Sequence, residues 1–548
     1  MATSHPLRIQ IASYNFNLQG TTTPFPDLQR WLIPTLSETR PEYSSTSLTS
    51  GREAPDIYAV GFQELLPLHH AFADDQEAKE VRQHTAREIR RAVRHHAAVT
   101  RQDGVYPEGG GPEDYTLLAE VHLVSITLFV FGRNRSGVPQ RLKEARVASA
   151  STGILNLLGN KGAVGVRLVL SAQGEGEDEV ITLVCAHLAA HDHQVERRNA
   201  DFKNIVSRLA FTPQSTLPLP DPPIAAPQTG EDMEKVKERY QQDVDSQRAI
   251  GTQKPSKPLD NQTYTLYDSH HAFFFGDLNY RLGLEGGKKN KEGKEGASSS
   301  AAGLSKHDVR RKVSQQDYAT LAKHDQLARE RQAGKTLQGF VEVDVGTAFG
   351  PTYKFKPQRR EGKGKGKEGT GEGDAVKREK GDAPVKGQEL SAKRVPGWTD
   401  RVLWASNGGQ EQGEKTTGTT GAGSASVIPG RHGVHVELFR SIMGYTLSDH
   451  KPVTLLATLP RARQSNSNLA PYRLDGNYAA YRALGTLLDR LVGYAWCALV
   501  AAGAGQVLVG VAEVVVIALL SVWWLRTGGQ QGGGGDLGYW FSSLAGRP

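Results

Sequence analysis

Cysteine is almost absent: Cys185 and Cys497 are the two in a chain of 548 residues. No disulfide framework can brace the fold, no multi-thiolate zinc site can form, and a reducing compartment is the expected setting. Phosphoryl transfer through a cysteine that is followed after five residues by Arg is excluded as well, since His191 and Gly503 stand at those positions. The opening stretch MATSHPLRIQIASYNF lacks the apolar run of a secretory signal and passes directly into an alternation at Leu7, Ile9 and Ile11. No internal repeat stands out.

What is present suits a globular protein, with 38% hydrophobic and 23% charged residues. The 60 glycines exceed the usual share and concentrate in polar stretches at 286–302, 358–389 and 406–430, which read as disordered inserts in surface loops. A net charge of +7 and a pI near 9.1 favour polyanionic partners without choosing among nucleic acid, inositol headgroups and an anionic membrane. Strand-like runs at 7–13, 57–61, 116–131, 162–170, 180–186, 271–276, 402–404 and 452–459 alternate with helical patterns at 77–97, 193–210, 232–249 and 305–333. The pattern predicts a mixed α/β domain over residues 1–460.

Residues 461–490 read as a linker, and from 491 to 525 the one formal charge is Glu513. As a helix this run would reach ~52 Å, against a hydrocarbon core of ~30 Å, and it predicts a membrane anchor. Arg490 and Arg526 bracket it, and Trp523 and Trp524 suit an interfacial belt. Its glycines, 493 among them, leave room for a re-entrant hairpin. A Gly-rich tail occupies 526–548. The expectation is a single-pass tail anchor with the body on the cytosolic face, most simply of the endoplasmic reticulum.

Polar residues gather at the ends of the predicted strands: Asn15, Asn17, Glu64, His187, Asp277, Asn279, Asp400, Asp449 and His450. One such residue is usually a turn or cap. Nine, all carboxylate, carboxamide or imidazole, form a coherent set for phosphate-ester hydrolysis. Glu64 and Asn15 offer oxygen ligands to a hard divalent cation, a carboxylate can deprotonate water, and imidazoles or amides can meet the charge building on phosphate oxygens.

The motifs GFQEL (61–65), LGNKGAV (158–164), AHLAAH (186–191), GDLNYR (276–281), PTYKF (351–355), RVPGWTDRVLW (394–404) and SDHKPV (448–453) occur in that order. Together they resemble the inositol polyphosphate 5-phosphatases. The resemblance implies a four-layered α/β sandwich of two mixed sheets, shared with deoxyribonuclease, one Mg²⁺ and direct attack by water. It implies Glu64 and Asn15 at the metal, Asp277 as base and Asn279 positioning water or phosphate. His187 and His450 would lie on the scissile phosphate, with Asp400 and Asp449 orienting or tuning the imidazole of His450. Tyr353, Lys354 and Arg394 match a 4-phosphate clamp, although Ala392 and Lys393 depart from the usual Lys two residues before that Arg. Lys161 matches a 1-phosphate contact. The implied substrate is phosphatidylinositol 4,5-bisphosphate in a membrane, acted on by a monomer with no nucleic-acid partner. A same-fold nuclease or other phosphodiesterase, and an inactive phosphoinositide-binding tether, are the competing readings.

Overall fold

The computed structural model describes residues 6–21, 25–33, 54–99, 114–172, 177–220, 255–283, 304–357, 389–391, 394–406, 433–461 and 466–501. The helix expected at 232–249, the insert at 286–302, Ala392, Lys393, the tail at 526–548 and nearly all of the other two inserts lie outside these residues.

Two sheets form the centre. The first has six strands in the order β10-β11-β1-β2-β4-β3, the second five in the order β5-β6-β7-β8-β9. The strands are β1 (Arg8–Asn15), β2 (Ile57–Gln63), β3 (Tyr115–Leu123), β4 (Ile126–Arg133), β5 (Leu142–Ser151) and β6 (Gly162–Leu170), followed by β7 (Glu179–His187), β8 (His271–Asp277), β9 (Asp400–Ser406), β10 (His435–Ser441) and β11 (Val453–Thr458). The helices are α1 (Gln29–Leu32), α2 (Leu68–Ala73), α3 (Gln76–Val99), α4 (Val138–Arg141), α5 (Val195–Arg208), α6 (Lys306–Ser314), α7 (Tyr318–Ala322), α8 (Gln326–Gln332), α9 (Val345–Ala348) and α10 (Tyr478–Ala501).

Most expected strands form within a residue or two of their predicted limits, because both faces of each sheet are covered and the runs are correspondingly apolar. The stretch 116–131 is a hairpin, β3 and β4, that turns at Val124 and Ser125. Two strands were not anticipated. The run that becomes β5 carries Lys143, Glu144 and Arg146, charges that hide its alternation, yet Glu144 and Arg146 are buried and paired with each other. β10 is a half-exposed edge strand, where no apolar alternation is required.

Apolar residues of both inner faces, among them Ile11, Ala59, Val166, Cys185 and Phe275, fill the space between the sheets. Gly61 allows the sheets to close there, since a Cβ on it would lie 2.6 Å from Cys185 Sγ. Burial pushes the Cys185 thiol up to about 12, leaving it inert. The outer face of the first sheet packs on α1, α2 and α3 through Trp31, Phe72 and Ile89. The outer face of the second packs on α5 through Phe202 and Ile205. The result is the four-layered sandwich of helices, two mixed sheets and helices.

The 305–333 pattern is three short capped helices, α6, α7 and α8, whose N-caps Ser305, Asp317 and Asp325 each restart the chain. The boundary expected at residue 490 is not a structural one, because α10 runs through it. Asp489 Oδ1 accepts the Gly159 N–H at 2.9 Å, and Arg490 donates to Ala73 O at 2.7 Å and to Asp74 Oδ2 at 2.6 Å. Gly493, read as leaving room for a hairpin, instead permits close docking: a Cβ there would lie 2.1 Å from Ala73 N. α10 is long and apolar enough to cross a membrane, and 17% of its most apolar window is buried. Residues 502–525 of the expected anchor lie outside the described residues.

Candidate active site

β1 and β2 run parallel with Asn15 opposite Gln63, and β7 and β8 run parallel with His187 opposite Asp277. β9 is antiparallel to β8 and begins with Asp400 opposite Asp277, while β6 begins with Gly162 opposite His187. The polar residues therefore collect along one edge of both sheets. Each follows or precedes an apolar strand, which is why so many buried charges can share a site without interrupting the core.

Asp277 is the hub. Its Oδ2 accepts from Asn15 Nδ2 at 3.0 Å, tying the two sheets together, and lies 3.3 Å from His187 Nε2 and 3.8 Å from His450 Nε2. Its Oδ1 accepts the Asn279 N–H at 3.1 Å. Burial would raise the Asp277 pKa, but the charge of His450, with His187 and Lys161, reverses this and holds the carboxyl well below the usual range.

His450 Nδ1 lies 3.0 Å from Asp400 Oδ2, which also accepts from Thr352 Oγ1 at 2.7 Å and Thr399 Oγ1 at 2.9 Å. Burial opposes an imidazolium here, yet Asp400 and then Asp277 overcome it and raise His450 to about 10. At neutral pH His450 is a buried cation. His187 behaves oppositely: burial and the adjacent Lys161 lower its pKa, and its Nε2 lies between the Lys161 ammonium at 2.6 Å and the Asp277 carboxylate at 3.3 Å. The site thus keeps one charged and one neutral imidazole side by side.

The structure brings together Asn15, Lys161, His187, Asp277, Asn279, Asp400 and His450. Asp449 acts on His450 through its charge and not through a hydrogen bond to the ring. Its Oδ2 takes Lys354 Nζ at 2.6 Å, and Asp400 is the carboxylate that holds the ring nitrogen of His450, with Thr399 Oγ1 3.3 Å from the same atom, because consecutive residues point in different directions as the chain approaches β11. Tyr353 packs its ring 4.6 Å from that of His450, and Lys354 Nζ lies 5.4 Å from the Tyr353 ring. The charge of Arg394 acts on both Lys354 and His191. Burial, then Arg394 and Arg281, hold His191 down to about 4 and keep it neutral.

Arg281 was missed, although it ends the GDLNYR motif two residues after Asn279 and that spacing was its signal. It is buried, donates to Asn279 Oδ1 at 2.8 Å and lies 4.5 Å from the centre of the Tyr353 ring. It therefore braces Asn279 and Tyr353 at once. Thr352, Thr399 and Ser448, whose Oγ donates to Asn15 O at 2.7 Å, complete the support. Hydroxyls are too common in sequence to be singled out.

A hard divalent cation fits part of this set. Glu64 follows β2 at φ 51° and is half-buried; its carbonyl accepts the Leu18 N–H at 2.6 Å, while its carboxylate makes no hydrogen bond or ion pair among the described residues, though its charge reaches His187. Its carboxylate oxygens, one residue after Gln63, which pairs with Asn15 across β1 and β2, are ligands of the right hardness. Asp277, Asp400 and His450 also bring one donor atom each within 4.8 Å of one another. Their arrangement is better explained as an ion-pair network, since a protonated imidazole is no ligand.

The sequence pattern of endonuclease/exonuclease/phosphatase family 2 matches residues 13–456. Synaptojanin-1 of Rattus norvegicus is 26% identical over 353 residues, which is 64% of this chain and 14% of that protein. The type II inositol 1,4,5-trisphosphate 5-phosphatase of Mus musculus is 27% identical over 402 residues, 73% of this chain and 26% of that protein. The chain thus spans about a quarter or less of these relatives' length. Among solved structures, the inositol polyphosphate 5-phosphatase domain of SPsynaptojanin, in complex with inositol (1,4)-bisphosphate and calcium ion, aligns with a TM-score of 0.48. That alignment has 19% identity and covers 90% of this chain and 94% of that one.

Proposed function

The chain belongs to endonuclease/exonuclease/phosphatase family 2, and from that premise we propose that it removes the 5-phosphate of phosphatidylinositol 4,5-bisphosphate, with Mg²⁺, leaving phosphatidylinositol 4-phosphate. The observation that carries this reading is Asp277, a buried carboxylate shared by Asn15, His187 and His450 at the common edge of the two sheets. The named 5-phosphatase activity of the type II relative narrows the substrate class.

Glu64 and Asn15 would hold Mg²⁺, which when bound supplies positive charge to phosphate oxygens and acidity to water. The protein's own groups account for the rest. Asp277 takes the proton of an attacking water, with Asn279, fixed by Arg281, positioning that water or the phosphate. A carboxyl held so far below its usual range by neighbouring cations is a weak base on its own. An arriving phosphate dianion neutralises the field of His450 and Lys161, and Asp277 gains basicity as water has to be activated. The His450 imidazolium and His187 face the charge that grows on the phosphate oxygens as the bond to the inositol oxygen breaks, and Lys161, expected at a 1-phosphate but lying 2.6 Å from His187 Nε2, adds its charge there. Lys354, Arg394 and Tyr353 form the adjoining basic wall suited to a neighbouring phosphate, with Asp449 steering Lys354. No side chain acts as nucleophile.

The apolar character of α10 and of residues 502–525 supports attachment to a membrane, and the reading proposed is the cytosolic face of the endoplasmic reticulum. The test is phosphate release from phosphatidylinositol 4,5-bisphosphate vesicles by the full chain, with Mg²⁺ or EDTA, for wild type and Asp277→Asn. The full chain is required because α10 covers the Gly159 N–H and the end of α2. Release that needs the metal, falls by about 10³-fold or more in the variant and leaves the 4-phosphate supports the proposal. Lipid binding without release would establish a tether instead, and cleavage of abasic DNA a nuclease.

A further inference from the structure

α10 presents two unlike faces. Its inner face is committed to the body. Gly485 presses on Leu157 O, where a Cβ would lie 2.6 Å away, Asp489 holds the Gly159 N–H, Gly493 meets Ala73, and the Arg208 guanidinium sits 3.7 Å from the Tyr481 ring centre. Its outer face carries Leu484, Leu487, Leu491 and Tyr494, exposed by 46%, 55%, 57% and 60%. These residues recur at helical spacing of three and four and so form one stripe. Every exposed residue from Ala483 to Val500 is uncharged. A surface helix of a water-facing protein places charge on that side.

A helix that crosses a bilayer would put all its faces in lipid, and the inner-face contacts forbid this for residues 478–501. The stretch that follows, 502–525, is 24 residues with Glu513 as its one formal charge, and could span ~36 Å as a helix, still more than the ~30 Å hydrocarbon core. The end of α10 must then stand where the chain enters the membrane. Arg473 and Arg482, both exposed, mark its opposite end.

We propose that α10 lies along the membrane surface, not across it, with the stripe Leu484, Leu487, Leu491 and Tyr494 resting in the lipid boundary. The proposal rests on the membrane reading and adds an orientation to it. α10 grips the turn at 157–159, two residues before Lys161, so the surface that meets lipid is rigidly joined to the loop carrying a pocket residue. A body so held cannot tumble on its anchor. The pocket stays at headgroup level instead of sampling every direction a flexible linker at 461–490 would allow.

The experiment places a nitroxide on Leu487→Cys in the full chain carrying Cys497→Ser, and separately on exposed Lys306→Cys, in vesicles of phosphatidylcholine with phosphatidylinositol 4,5-bisphosphate. Flotation of the vesicles is scored alongside. In floated protein the label at 487 should collide with oxygen more than with a water-soluble nickel chelate, and the label at 306 the reverse. Chelate access at 487 equal to that at 306 overturns the proposal. Protection from both reagents also overturns it, by showing a second copy or residues 502–525 on the stripe. Protein that does not float removes the membrane reading itself, and with it the orientation. A second measurement uses Leu484→Gln/Leu487→Gln/Leu491→Gln: KM for vesicle substrate should rise about 10-fold, with hydrolysis of soluble inositol 1,4,5-trisphosphate unchanged. An unchanged vesicle KM would count against the stripe.

Discussion

Asp400→Asn isolates the electrostatics of the site without reshaping it. The amide keeps the size of the carboxylate and can still accept from Thr352 and Thr399, so the fold is retained. What is lost is the charge 3.0 Å from His450 Nδ1. That charge and the one on Asp277, 3.8 Å away, together overcome burial and carry His450 from 6.5 to about 10. Asp400 is the nearer and larger contributor, and its removal should drop the imidazole by about 2 pH units. The sign follows from linkage. A His raised on folding contributes stability that is complete below its unfolded pKa and is lost as pH rises through the folded value, so wild type should hold this contribution across neutrality and lose it toward pH 10. In the variant the His450 contribution is smaller by about 3 kcal/mol at low pH, and its loss is complete near pH 8. The assay is kcat/KM for soluble inositol 1,4,5-trisphosphate from pH 6 to 10, with thermal unfolding recorded at each pH. The alkaline limb should move down by about 2 units. An alkaline limb that stays in place, in a variant that melts as wild type does, would refute the assignment of His450 as a cation maintained by Asp400.

Arg281→Leu should lower kcat about 10-fold or more while shifting Tm little, because the residue braces Asn279 and Tyr353 and is not part of the sandwich core; equal kcat would remove it from the site. Arg401→Met strands the Asp325 carboxylate, 3.0 Å away, and leaves Glu342, 2.7 Å away, with Arg331 as its remaining cation, in a buried position. It should cost about 3–5 kcal/mol in urea unfolding, and a loss below about 1 kcal/mol would show that the pair is solvated. Deleting residues 286–302 or 358–388 should leave hydrolysis of a soluble substrate within about 2-fold of wild type, since neither stretch carries a motif residue.

The strands were legible because a doubly covered sheet demands long apolar runs, and the site was legible because polar residues that interrupt such runs have few reasons to be there. Asn15, His187, Asp277 and Asp400 could each be placed at a strand end from sequence. Their partners could not. That Asp400 and not Asp449 takes the His450 nitrogen depends on where side chains point as the chain enters β11. The Arg281 brace, reaching both Asn279 and Tyr353, joins elements that sequence holds 72 residues apart. β5 escaped notice because Glu144 and Arg146 look solvent-bound until their pairing is seen.

Composition, motif order and strand pattern by themselves determined the class of fold, the exclusion of thiol chemistry and the residue types at the site, since these follow from local periodicity and from what each side chain can do. Only the tertiary structure decided which imidazole is charged, because that turns on the distance from His450 to two carboxylates and from His187 to Lys161. It likewise decided that α10 is docked. An apolar helix reads the same in sequence whether protein, lipid or both surround it, and the close approaches at Gly485 and Gly493 together with Asp489 show that one face belongs to the protein.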